Sequence, residues 1–155
     1  MDSKDIMRRA MELSINSVEK GGGPFGAIVV KDGEIITEAS NSVTTDNDPT
    51  AHAEVNVIRK AAKKLNTFNL EGCEIYTSCE PCPMCFGAIY WSRLDRIYFA
   101  NDRNDAKNIG FDDSFIYDEI QKPIEERKIK TIIILRDEAL EAFKNWQKKT
   151  DKIEY

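Results

Sequence analysis

Histidine is almost missing from this chain: His52 is the single imidazole among 155 residues, so any chemistry that needs one must use it. Long hydrophobic runs are missing too. Stretches such as Ile132-Ile133-Ile134-Leu135 fall far short of the ~20 residues of a membrane-crossing helix. Behind Met1 stands Asp2-Ser3-Lys4-Asp5 rather than a basic and then apolar leader, so no signal peptide is expected and a cytoplasmic location is. An excess of positive charge is also lacking, with 22 Lys and Arg against 27 Asp and Glu, a formal −5. Proteins that grip a nucleic-acid backbone need a clustered basic surface. The clusters here, Arg59-Lys60 with Lys63-Lys64 and Lys148-Lys149, have the size of solvated helix faces. Neither nucleic acid nor membrane is therefore an expected partner, and a small molecule is. Four cysteines in such a chain read as ligands or core residues rather than disulfides. Repeats and low-complexity tracts are absent, and residues 1–155 fit one domain.

What is present is a regular alternation of helical and extended patterns. Ile6, Met7, Ala10, Met11, Leu13 and Val18 are close to helical spacing over residues 4–19, ended by Gly21-Gly22-Gly23. Ala27 to Val30 and Glu34 to Ala39 read as strands joined across Asp32-Gly33, a strong hairpin signal. Ala51, Val55, Ile58, Ala62 and Leu65 suggest the stripe of a second helix. Glu74 to Thr77 reads as a third strand, residues through Cys85, Ala88, Ile89 and Trp91 as a helix, and Arg96 to Ala100 as a fourth strand. Past Asn101 the chain is polar until Asp112-Asp113-Ser114, which can cap a short helix carrying Ile116, Tyr117 and Ile120. Thr131 to Leu135 reads as a fifth strand. Asp137 to Lys148 reads as a last helix with Leu140, Phe143 and Trp146 inward. This order implies a layered α/β domain in which helices cover a five-stranded mixed sheet.

Two short motifs carry chemistry, His52-Ala53-Glu54 and Pro81-Cys82-Pro83-Met84-Cys85. They supply one imidazole, two thiolates and a spare carboxylate. Three protein ligands leave tetrahedral zinc one open position for water, and the carboxylate beside it can carry protons. Cys82 precedes Pro83, the residue favoured at the first helical position, so Cys82 is a natural N-cap with Cys85 three residues on. The positive end of that helix favours thiolate over thiol. His52 is expected in the first turn of its helix, after Thr50 as cap. A regular helix rotates Glu54 about 200° from His52, so spacing alone leaves their convergence open. Cys79 is near enough to compete as a ligand and is read as a buried neighbour; Cys73 reads as strand-edge packing.

With these motifs the chain resembles the cytidine deaminase-like superfamily, whose H-x-E and P-C-x-x-C signature marks zinc-dependent nucleobase deaminases. More narrowly it resembles the small bacterial-type guanine deaminases. The likeness extends through Gly22-Gly23-Pro24-Phe25-Gly26-Ala27, Asn41, Asp48 to Val55, Tyr76 to Cys82, Gly110-Phe111-Asp112-Asp113-Ser114-Phe115-Ile116-Tyr117 and Glu154-Tyr155. The zinc motifs are shared by deaminases of many bases; the Gly-Phe-Asp-Asp-Ser-Phe segment and the terminal tyrosine are narrower and point to guanine. The resemblance implies a three-layer α/β/α fold and one Zn2+ per subunit held by His52, Cys82 and Cys85, with Glu54 as proton shuttle. It implies Phe25 stacking on the purine, Asn41 bonding its edge and Asp113 helping to recognise guanine. It also implies a homodimer that exchanges its C-terminal segment, about residues 136–155, so that Tyr155 completes the partner's pocket. On their own residues these positions read more plainly: Phe25 as a packed loop aromatic, Asn41 as a turn residue, Asp112 and Asp113 as helix caps, and Tyr155 as a chain terminus.

The implied reaction is hydrolysis of guanine to xanthine and ammonia. Guanosine or another nucleobase or nucleoside is the nearest alternative. A tRNA adenosine deaminase with the same zinc motifs comes next, opposed by the acidic balance. A noncatalytic zinc module that binds a purine or a protein is the reading from another class, opposed by Glu54 and by the three-ligand set.

Overall fold

The apolar spacing near the N-terminus does form a helix, and the computed structural model, which describes residues 1–155, gives it as α1, Ser3–Glu19, capped by the Asp2 carboxylate. The chain then enters a hairpin of β1, Gly26–Lys31, and β2, Glu34–Ser40. Asp32 and Gly33 both hold positive φ at its turn, as a two-residue hairpin loop requires. A short α2, Val43–Asp46, precedes α3, Ala53–Leu65. The central strand β3, Cys73–Cys79, leads into α4, Pro83–Trp91, and β4, Arg96–Asn101, follows. The polar stretch beyond it contains a helix that hydrophobic periodicity did not announce, α5, Arg103–Asn108. Reciprocal capping between Asp102 and Asp105 sets its start, and capping leaves no apolar stripe to read. The chain closes with α6, Ser114–Gln121, a 3-10 turn at Ile124–Glu126 and α7, Arg136–Lys148.

The chain divides into two compact units, Met1–Phe115 and Ile116–Tyr155. The first is built on a mixed sheet of order β2-β1-β3-β4, antiparallel except for the β3–β4 pair. Because strand residues alternate faces, β1 divides its side chains between two cores. Ala27 and Val29 pack with Ala53, Val57 and Ala61 of α3 and Ile89 of α4, while Ile28 and Val30 pack with Ile6 and Ala10 of α1. This gives three layers, with α1 on one side of the sheet and α3 and α4 on the other. Gly26 is fixed by close approach of α1: a Cβ there would lie 2.4 Å from the Ala10 carbonyl oxygen.

Three expectations need correction. The sheet has four strands, not five: residues 131–135 form no ladder, and Ile132, Ile133, Ile134 and Leu135 are 63–79% exposed. β-Branched residues favour extension, but a strand exists only against a partner, and the second unit contains no sheet. The inward face expected on α7 is not closed, since Phe143 is 72% exposed and Trp146 41%. The α3 stripe lies on Ala53, Val57 and Ala61, with Ile58 and Leu65 at its margin, rather than on Val55 and Ala62.

Candidate metal and base-binding site

The sheet delivers two helix N-termini to one place. Cys82 is the N-cap of α4, with Pro83 at the first helical position, and Cys85 is buried one turn on. His52 is not in the first turn of α3 but is itself its N-cap, with extended backbone (φ −69°, ψ 154°). That one-residue difference removes the 200° problem: His52 stands outside the helical rotation, while Glu54 stands inside it. Thr50 caps nothing here; its N–H and hydroxyl both donate to the Asp48 carboxylate, 2.8 and 2.7 Å, in a turn that leads the chain into His52. The Asn56 amide reaches the Ser40 and Ala51 carbonyls and the Ser42 hydroxyl, tying the segment after β2 to the entry of α3.

His52 Nδ1 lies 3.5 Å from both Cys82 Sγ and Cys85 Sγ, and the three donors lie within 4.8 Å of one another. Zinc bonds of ordinary length to nitrogen and sulfur at a tetrahedral angle put those atoms about 3.6 Å apart. The donor set therefore fits zinc in type and in spacing. Electrostatics agree: hydrogen bonds from Cys85 and His52 bring the Cys82 thiol down to about 4, while its bond to Cys82 and its burial push Cys85 up. The same Cys82 contact raises His52. Cys79 does not compete; its thiol donates to the Asp102 carbonyl at 3.9 Å, and burial pushes it up to about 12.

Glu54 is 5% exposed, and burial raises its carboxyl above the usual carboxylate range. It accepts a 2.6 Å hydrogen bond from Thr77 Oγ1 in β3. The next residue, Ser78, accepts from the Gly26 N–H at 3.0 Å and so fixes the chain beside Phe25. Phe25 and Phe111 form a T-shaped pair, 5.0 Å between centroids and 87° between planes. The Phe25 carbonyl accepts from the Asn41 N–H, while Asn41 Oδ1 accepts from the Val43 N–H, so the Asn41 side chain has its NH2 donors to offer. Asp113 has a buried Oδ1 with no hydrogen-bond partner, and burial together with the nearby Cys82 raises its carboxyl. Asp112, by contrast, accepts from the Ser114 N–H and hydroxyl at the start of α6, a capping role. Tyr155 ends the second unit and is 74% exposed.

Sequence reasoning assigned no role at the site to Thr77, Ser78, Asn56, Phe111 or the Glu80–Arg103 pair. Glu80, between the strand and the cysteines, accepts from Arg103 Nε, Nη2 and N–H at 2.9, 2.7 and 3.0 Å, fastening the cysteine loop to α5. One signal was available: Thr77-Ser78 is a polar pair inside the strand run Ile75 to Cys79, and buried hydroxyls need partners.

Comparison with known proteins places this geometry. The cytidine and deoxycytidylate deaminase zinc-binding region matches residues 1–101. A guanine deaminase of Bacillus subtilis (strain 168) is 53% identical over 156 aligned residues, covering 100% of both chains. The X-ray structure of guanine deaminase from Bacillus subtilis superposes with a TM-score of 0.97 at 52% identity, over 100% of this chain and 99% of that one. A tRNA-specific adenosine deaminase of Aquifex aeolicus (strain VF5) is 46% identical over 100 residues, 64% of this chain and 66% of its own.

Proposed function

This chain belongs to the guanine deaminases, within the zinc-binding cytidine and deoxycytidylate deaminase family, and we propose that it hydrolyses guanine to xanthine and ammonia with His52, Cys82 and Cys85 as metal ligands and Glu54 as proton carrier. The observation that carries the reading is the convergence of three zinc-type donors on one face of the fold with a buried carboxyl two residues from the imidazole ligand. Zinc, when bound, supplies Lewis-acid activation of water near neutral pH. The chain's own residues do the rest. Glu54, raised by burial toward the working pH, takes a proton from the attacking water. It gives that proton to the ring nitrogen as the C2–O bond forms, then takes the proton of the new C2–OH group and passes it to the amine as the C2–N bond breaks, so that the two protons of water end on the ring and on ammonia.

Base recognition follows from the remaining groups. Phe25, packed in a T-shaped contact with Phe111, offers a flat ring face to the purine. Asn41 directs NH2 donors to acceptors on the base, and the unpartnered Asp113 Oδ1 accepts from guanine N–H groups, which adenine does not present at the same ring position. Four free cysteines suit a reducing cytoplasm, and no helix is long and apolar enough to cross a membrane.

The reading includes a homodimer. β4 is an edge strand with Phe99 47% exposed, and the apolar segment 131–135 lacks a ladder. Pairing that segment with the β4 edge of a second copy would give each sheet its fifth strand, bury both and bring the partner subunit's Tyr155 to complete the pocket. Light scattering on the full chain should give twice the 17.7 kDa chain mass, and Ile133→Asp should shift the mass toward the monomer and lower turnover. A monomeric parent with full activity would remove the exchange.

The activity is tested by ammonia release from guanine, guanosine, adenine, cytosine and cytidine with the zinc-loaded protein. Turnover of guanine alone is expected. Activity on guanosine would keep the chemistry and open the pocket at N9. Silence on all five with turnover of tRNA would favour the adenosine deaminase likeness. Zinc bound with no turnover of any of these would leave a binding module.

A further inference from the structure

We infer that Thr77 is a positioning residue for deamination: its hydroxyl fixes the Glu54 carboxyl at the site, an inference that rests on Glu54 being the proton carrier. Thr77 lies in the central strand β3, 0% exposed, opposite Ala27 of β1 and Phe99 of β4. In such a place valine has nearly the same shape, suits the strand as well and brings no polar atom to desolvate. A hydroxyl kept there must therefore be matched by partners, and it has two. Oγ1 is 2.6 Å from Glu54 Oε1 and 2.9 Å from the Cys79 carbonyl oxygen.

The hydroxyl has one hydrogen for these two acceptors. Donated to Glu54 Oε1, at the shorter of the two distances, it holds the carboxyl from a side chain that is itself fixed in the central strand. Glu54 is a flexible side chain on the second residue of α3, and this bond ties it to the sheet rather than to its own helix.

The test compares Thr77→Val, Thr77→Ala and Thr77→Ser with the parent, reading kcat and KM for guanine, zinc content and thermal melting. Ala and Ser differ by the hydroxyl alone, so that pair decides the matter even if Thr77→Val fails to fold. Val and Ala are expected to keep one zinc per chain and a KM within about threefold of the parent, while kcat falls about 10- to 100-fold. Thr77→Ser should recover most of that loss. Equal kcat for Ala and Ser, or a loss that falls on KM or on zinc content instead, would overturn the inference. Glu54→Gln in the same assay separates the two readings. If it is inactive while Ala and Ser are equal, the proton carrier stands and the positioning falls. If it turns over at the parent rate, both fall.

Discussion

Glu54→Gln should keep one zinc per chain and lose guanine turnover by about 10²- to 10⁴-fold, the range that a positioned general acid–base supplies. The substitution keeps the side-chain length and an oxygen that can still accept from Thr77, 2.6 Å away in the parent. What it removes is the site for a mobile proton. Stability should not fall with activity. Glu54 is 5% exposed and burial raises its carboxyl, which means that the ionised form costs free energy in this place. A neutral amide avoids that cost, so the melting temperature is expected to hold or rise. Measured kcat, zinc by atomic emission and a melting curve together check the result. A variant that turns over within about threefold of the parent would remove Glu54 from the proton path.

Stripping the metal with a chelator should abolish turnover and lower the melting temperature together, and added zinc should restore both. The proposed ligands belong to two helices: His52 caps α3, and Cys82 and Cys85 open α4. An ion held between them would cross-link the two helices, so its binding free energy would add to folding. Cys85→Ala should reproduce the loss of zinc and resist rescue by added metal. Magnesium, which prefers oxygen ligands in an octahedron, should not replace zinc on two sulfurs and a nitrogen. Full activity after complete chelation, verified by metal analysis, would exclude a metal-dependent reaction.

How much of this could be read beforehand depended on whether the signal was local. The hairpin was legible because Asp32-Gly33 names its own turn, and the α4 start because Cys82-Pro83 names its own cap. The convergence of His52, Cys82 and Cys85 was legible for the same reason, since they stand in short motifs with fixed spacing. His52 was assigned one turn position too far in, since a cap and a first-turn residue differ by dihedral angles that composition does not encode. Residues 131–135 had the composition of a strand but lacked the second half of the requirement, a neighbouring edge within their own unit. Thr77 was hidden differently. Strand periodicity treats it as one more buried β-branched residue, and only distance reveals that its hydroxyl meets Glu54.

The adjacency of Thr77 and Ser78 has a mechanical meaning. One holds the carboxyl of Glu54 and the other the backbone beside the Phe25 ring, through bonds of 2.6 and 3.0 Å. Consecutive residues on a strand are spaced by covalent geometry, so these two anchors share one datum. The Glu54 carboxyl and the backbone beside Phe25 are then both referred to one strand rather than to the conformations of two separate loops. A tilt or slide of β3 moves both references in step, and the alignment error of one against the other cancels to first order.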